Sequence, residues 1–353
     1  MTPTHLAQSV SSWLDASGPE SDLVLSSRVR LARNLAGRHF PGRADELERG
    51  RVLATVTEAC AGAPGIGDAD IWDLSELEEQ HCRLLVERRL ASPQLAQGHG
   101  RRGVVVSGDE CLSMMINEED HIRIQSVRSG LNLSDALTGA QELDLFLEER
   151  LQFAVSDRWG YLTACPTNVG TGLRASVLIH LPGLVLTAEI DKVHRAVAEM
   201  GMAVRGWFGE GSGALGDFFQ LSHQRTLGVD EAHCLDGLGR IAGRVLQLER
   251  DARERISAEK GHRRKIEDRV HRAYGVLRTA RLLSAEQVMA CASDVRLARS
   301  LGVLEEVSHA FLNRLLLFTQ SAHLRAGVGD SFRAEDEKWE RARWVREEFD
   351  EFL

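Results

Sequence analysis

The feature that most limits the fold is a change of rhythm near residue 230. Before it, short apolar runs alternate with polar residues or end in glycine-rich turns, as half-buried strands do. After Gly243 glycine thins out, and helical periodicity dense in Arg and Glu takes over. Strands are expected at 23–25 and on through 26–33, then at 104–106, 111–116, 122–125, 159–164, 174–181, 202–208 and 217–222. Helices are expected at 44–61, 74–90, 132–155 and 182–199, with Ser75 and Asn132 or Ser134 as caps. Five more follow, at 240–259, 262–282, 284–300, 303–324 and 334–352, where Ser284 with Gln287 forms a capping-box pattern. This is an α+β chain that ends in an all-helical domain. The expected division is a flexible, loosely held lead at 1–22, a catalytic domain at 23–235 and a helical domain at 236–353 that makes a homodimer or adaptor contact.

Composition narrows the function. A net charge of -9 argues against a general binder of nucleic acid or anionic membrane. The six cysteines are scattered, with no Cys-x-x-Cys pair. That pattern fits reduced thiols in a cytoplasm rather than a disulfide framework or a zinc site. No uncharged run is long enough to span a membrane, and no secretory signal pattern opens the chain. Arginine outnumbers lysine 39 to four, and the guanidinium is the cation suited to forked phosphate contacts.

The loop from Cys165 to Gly172 sets a thiol beside Pro166 and places two glycines ahead of Arg174. Pro166 fixes one backbone angle, and Gly170 and Gly172 permit tight or left-handed turns. Arg28 and Arg30 alternate with Val29 and Leu31, so a strand turns both guanidinium groups to one face. Arg123 and Arg205 also sit in strand-like segments. Five such arginines, Arg28, Arg30, Arg123, Arg174 and Arg205, would neutralise a triphosphate with magnesium if they converge. Phosphoryl transfer needs mostly that kind of positioning and charge stabilisation. The acidic run Glu118-Glu119-Asp120 and the lone Glu210 would hold a cationic acceptor. A Gly-x-Gly-x-x-Gly at Gly211, Gly213 and Gly216 precedes a strand rather than a helix and is read as accidental.

In order, Ser26-Ser27-Arg28-Val29-Arg30, Asn117 to Arg123, Cys165 to Thr171, Arg174-Ala175-Ser176-Val177 and Arg205-Gly206 through Gly209-Glu210 resemble the signatures of phosphagen (guanidino) kinases. The resemblance implies an antiparallel sheet flanked by helices, Mg2+ and ATP as donor, and a guanidinium nitrogen as acceptor. It implies that the five arginines hold the nucleotide, with Ser26, Ser27, Val29, Ala175, Ser176, Val177, Leu178, Gly206 and Gly209 around them. No protein-borne metal ligand is expected. Glu119 and Glu210 would bind and polarise the guanidinium beside Cys165, with Glu118 the alternative to Glu119. A carboxylate can orient that group and take its proton, and a thiolate at Cys165 would be a third negative partner.

The motifs begin near residue 26, which leaves no room for the helical domain that precedes the catalytic part in kinases of small guanidino metabolites. A helical domain follows instead, as in the bacterial protein-arginine kinase branch of the family, and Ser293 to Leu297 is similar to that branch. The branch implies arginine-bearing protein substrates, a role in protein quality control and stress response, a zinc-binding activator protein and a Clp-type protease. It also carries an Arg-Asp-x-x-Arg-Ala motif that binds phosphoarginine. Here Glu337 and Lys338 stand in place of its first Arg and Asp, so weak or absent binding is expected. The competing expectations are a kinase of a free guanidino metabolite and a regulator that has lost catalysis.

Overall fold

The computed structural model describes residues 2–206 and 215–352. Its strands are β1 (Val24–Arg33), β2 (Asp70–Asp73), β3 (Gly103–Val106), β4 (Leu112–Ile116), β5 (Ile122–Ser129), β6 (Val155–Ser156), β7 (Gly160–Tyr161), β8 (Leu173–His180), β9 (Met202–Gly206) and β10 (Phe218–His223). Among the described residues eight of them form one sheet, ordered β2-β3-β4-β5-β1-β8-β10-β9. Every neighbouring pair in it is antiparallel. The other two make a small hairpin.

Strand alternation sorts the side chains. Val29, Leu31, Ile124, Ala175, Val177 and Leu221 share one buried cluster. It is closed by α1 (Glu46–Ala59), α4 (Leu133–Glu148) and the first part of α7 (Glu231–Ala258). The other sheet face is divided. Towards one end Val127, Leu178 and Phe218 pack under α8 (Lys260–Thr279), α9 (Ala285–Ser300), α10 (His309–Phe318) and α12 (Glu337–Phe352). Towards the other end the arginine-bearing stretches of β1, β5, β8 and β9 are left uncovered by those helices. Two shorter helices, α2 (Glu79–Glu87) and α3 (Pro93–Gln97), pack on the β2–β3 edge, and α11 (Ser321–Val328) packs in turn on α2.

Several sequence expectations need correction. The lead is packed rather than loosely held: Trp13 and Leu14 are buried in the cluster that joins the sheet to the helices. The single helix expected at 182–199 is two, α5 (Pro182–Leu186) and α6 (Ile190–Glu199), because Ala188 between them has a positive φ of 55°, which no right-handed helix admits. The helix α7 runs across the expected boundary at 235/236, and its residues through Ala252 pack into the sheet's own core. Ser284 and Gln287 form the expected reciprocal cap at the start of α9.

Candidate active site

Register brings the arginines together. In the ladder between β1 and β8, Arg30 stands directly opposite Arg174 and Arg28 opposite Ser176. On the other side of β1, Ala32 faces Arg123 of β5, and Arg205 of β9 faces Gln220 of β10. Arg30, Arg123, Arg174 and Arg205, with Glu119 and Cys165, line one cleft of about 410 Å³. Arg28 lies just inside it, donating to Ser176 Oγ (3.3 Å) and Gln220 Oε1 (3.0 Å).

This convergence costs energy until an anion arrives. Burial, then Arg89, Arg123 and Arg205, pull the Arg28 guanidinium down to about 9. Burial, then Arg28 and Arg123, hold Arg30 well below the ordinary arginine range, and its Nε has no hydrogen-bond partner. Burial and Arg205 lower Arg174 as well. A guanidinium is still charged at neutral pH. Several such groups around one space therefore make an anion receptor, with donors that a polyphosphate's oxygens would satisfy.

The acidic run resolves its mutual repulsion by sending each carboxylate to a different place. Glu118 is buried: it pairs with Arg123 Nη1 and accepts from Ser92 Oγ. Glu119 is 40% exposed, reaches the cleft, and lies 3.2 Å from Arg123 Nη2. Asp120 is fully buried. Its Oδ1 accepts from the Ala164 amide and from Asn34 Nδ2, both at 2.6 Å, tying the Glu119 turn to the loop that carries Cys165. Burial pushes the Asp120 carboxyl up from its usual range.

That loop is rigidly held. Cys165 Sγ is 2.9 Å from Thr167 Oγ1. Arg174 donates to Thr167 Oγ1 (2.6 Å) and Asn168 Oδ1 (2.9 Å). Gly172 has a φ of 68°, and a Cβ there would come within 2.6 Å of the Ala32 carbonyl oxygen, so only glycine fits. The buried Arg33 supports the same turn, donating to Thr171 O (2.9 Å) while paired with Asp144 (2.6 Å).

Other expected site residues lie elsewhere. Ser27 donates to Gly130 O and accepts from the Asn132 amide. Val29, Ala175 and Val177 are in the opposite core, Ser26 is buried, and Leu178 lies beneath the helical layer. Gly206 ends β9 beside Phe219. Gly209 and Glu210 lie outside the described residues. Sequence reasoning missed Arg89, whose charge bears directly on Arg28 and which burial pulls down to about 10. It follows α2 at a φ of 62°, with no strand alternation to flag it. Gln220, Thr167 and Asn168 were also missed; the last two lie inside the Cys165 motif, next to the residues that were chosen. Among the described residues no group of three His, Cys, Asp or Glu side chains is placed to hold a metal ion.

The profile of the ATP:guanido phosphotransferase C-terminal catalytic domain matches residues 51–252. Solved structures agree. Lombricine kinase superimposes with a TM-score of 0.58 at 25% identity, over 68% of this chain and 71% of that one. The duplicated taurocyamine kinase from Schistosoma mansoni, bound to transition-state-analogue components, gives a TM-score of 0.61 at 25% identity over 69% of this chain and 36% of that one. Fold and cleft thus define a guanidino phosphotransferase.

The rest of the chain narrows this further. Residues 263–352 match the protein-arginine kinase McsB C-terminal domain. The protein-arginine kinase of Geobacillus sp. (strain WCH70) is 42% identical over 96% of this chain and 93% of its own length. That of Bacillus subtilis (strain 168) is 41% identical over 98% and 96%. The chain belongs to the protein-arginine kinase family.

Proposed function

We propose that this chain transfers the γ-phosphoryl group of ATP to arginine side chains of proteins. The observation that carries the reading is the convergence of Arg30, Arg123, Arg174 and Arg205 on a cleft that also exposes Glu119. The arginines, with Arg28 and Arg89 behind them, grip the polyphosphate and draw off charge as the bond to the leaving ADP oxygen breaks. Glu119 holds the acceptor guanidinium. It turns one nitrogen toward phosphorus and takes that nitrogen's proton as the P–N bond forms. Glu210 is assigned the second carboxylate, and Cys165 borders the acceptor. Magnesium enters in this reading with the nucleotide, and no step is routed through it.

The reading extends to a homodimer made through the helical domain, where Val276, Leu282, Trp339 and Phe352 are exposed on α8, α12 and the turn between α8 and α9. It also extends to a cytoplasmic quality-control and stress-response role, with a zinc-binding activator and a Clp-type protease as partners. No described helix is long and apolar enough to cross a membrane. The test is incubation with ATP, magnesium and an unfolded protein, then mass spectrometry under non-acidic handling that preserves the P–N bond. Phosphate on arginine in the protein supports the reading. Phosphorylation of free arginine alone would favour a metabolite kinase.

A further inference from the structure

A second cavity, of about 450 Å³, lies against the other side of the Cys165 loop. Gly170 and Thr171 belong to its wall, while Thr167, Asn168 and Gly172 of the same loop belong to the wall of the cleft. The shared wall is firm. Tyr161 and Gly170 exchange two backbone hydrogen bonds, at 2.8 and 3.3 Å. Thr226 Oγ1 donates to Thr167 O and Val169 O, and the Arg33 guanidinium stacks 3.5 Å over the Tyr161 ring.

The lining of this cavity is not that of a nucleotide site. It carries two carboxylates, Glu148 and Glu231, and neither is paired with a cation among the described residues. Glu148 accepts from the Tyr161 hydroxyl (3.3 Å) and Glu231 from Gln141 Nε2 (2.5 Å). Exposed apolar side chains stand around them: Val155 at 54%, Trp159 at 43% and Leu227 at 43%. Carboxylates beside open aliphatic and aromatic surface suit a long basic side chain, which lays its methylene stem on apolar surface and its cation against the acids. The one cation in the lining, Arg158, already stacks on Trp159 (4.5 Å).

A free guanidino metabolite ends inside the cleft, whereas a protein substrate must leave it as chain on both sides of the target arginine. We propose that this cavity is a secondary subsite that takes a lysine or arginine side chain of the protein substrate, a few residues from the arginine being phosphorylated. The proposal rests on the protein-substrate reading above. Two carboxylates prefer such a flank and repel an acidic one.

The experiment uses the full chain and a panel of peptides, each with one target arginine and one lysine moved through successive offsets on either side. The wild-type enzyme is expected to favour one or two offsets by roughly 5–20-fold in kcat/KM, with the gain fading as salt screens the pair. Glu148→Gln with Glu231→Gln is expected to remove that preference and to leave the lysine-free peptide and ATP binding unchanged. Glu148→Gln alone, at an exposed position, should remove part of it should the double variant fold poorly. Equal rates at every offset, or a preference that survives the substitutions, would overturn the subsite while leaving protein phosphorylation standing. Phosphorylation of free arginine but of no peptide would instead defeat the protein-substrate reading, and this subsite with it.

Discussion

Arg30 and Arg174 face each other across adjacent antiparallel strands, and both point into one cleft. Like charges directly opposite one another in a sheet are destabilising. Here the repulsion is compounded by Arg28 and Arg123, which also depress Arg30. On the proposed reading the same cations are what a polyphosphate needs.

Stability and nucleotide binding should therefore separate at this pair. Arg30→Gln removes a half-buried cation whose Nε has no hydrogen bond and is expected to raise the Tm of the nucleotide-free protein by a few degrees. It should also weaken ATP binding by roughly 2–5 kcal/mol, the cost of losing one member of a buried charged contact. Thermal melts with and without ATP check both. A lower Tm without nucleotide would show that Arg30 is stabilising as it stands.

Much of this geometry was legible in the chain. Alternation alone placed Arg28 and Arg30 on one face and Val29 and Leu31 on the other, because a strand has a period of two. What stayed hidden depends on contacts between distant segments. Ser75 reads as a helix cap, yet its amide and hydroxyl both bond Asp73 Oδ1, and the helix begins only at Glu79. Arg89 has no neighbour pattern that marks it, and its role comes from where Gln125 holds its carbonyl (2.7 Å). The acids of residues 118–120 form one cluster in sequence but differ in space: Glu118 and Glu119 share the Arg123 guanidinium, one buried and one open to the cleft, while Asp120 is turned to Asn34 and the Ala164 amide.

The helical domain should not bind phosphoarginine. Arg341 is buried, and its fork is already filled: Nε donates to Thr319 O (2.7 Å), Nη1 to Leu283 O (3.1 Å) and Nη2 to Glu337. Glu337 also accepts from Ser321 Oγ (2.7 Å). A phosphoguanidinium would meet the Glu337 carboxylate there, and the Arg341 fork has no donor nitrogen left for its phosphate. Calorimetry with a phosphoarginine peptide is expected to give no heat beyond that of the cleft. Tight binding that survives blocking of the cleft by ATP would contradict this.

Acid should unfold the protein through its buried and half-buried histidines. Burial, then Arg253 and Arg296, holds His180 well below its ordinary range. Burial and Arg296 bring His309 down to about 4, and burial lowers His323, whose Nδ1 lies 2.8 Å from Glu87 Oε2. The unfolded chain takes up these protons near pH 6.5, before the folded one does, so stability is full above that pH and falls as pH drops through it. Each group adds a slope of up to about 1.4 kcal/mol per pH unit. As the pH falls further, the raised carboxyls of Asp120 and Asp217 oppose the trend, because the folded state takes up those protons before the unfolded chain does. Urea titrations at pH 7, 6 and 5 should show the loss, and His309→Gln should flatten it. A midpoint independent of pH across this range would refute the assignment.

Glu118 and Glu119 are adjacent in sequence, yet they should fail in different ways. Glu119 is exposed to the cleft, so Glu119→Gln keeps the shape and removes the charge proposed to orient the acceptor and take its proton. Turnover is expected to fall roughly 10²–10⁴-fold, the range for a positioned acid–base group, with ATP affinity near normal. Glu118 is the buried partner of Arg123. Glu118→Gln removes the buried one of that guanidinium's two carboxylate partners and leaves only the half-exposed Glu119, so the main effects should be a lower Tm and altered nucleotide affinity, with turnover at saturating ATP falling less. Cys165→Ala should cost less than Glu119→Gln, since the thiol borders the acceptor but takes no proton in this scheme. Single-turnover phosphorylation of a protein substrate, run beside nucleotide titration and a thermal melt for each variant, separates these outcomes. Near-normal turnover in Glu119→Gln, or weakened ATP binding as its chief defect, would mean that the acceptor carboxylate has been assigned to the wrong residue.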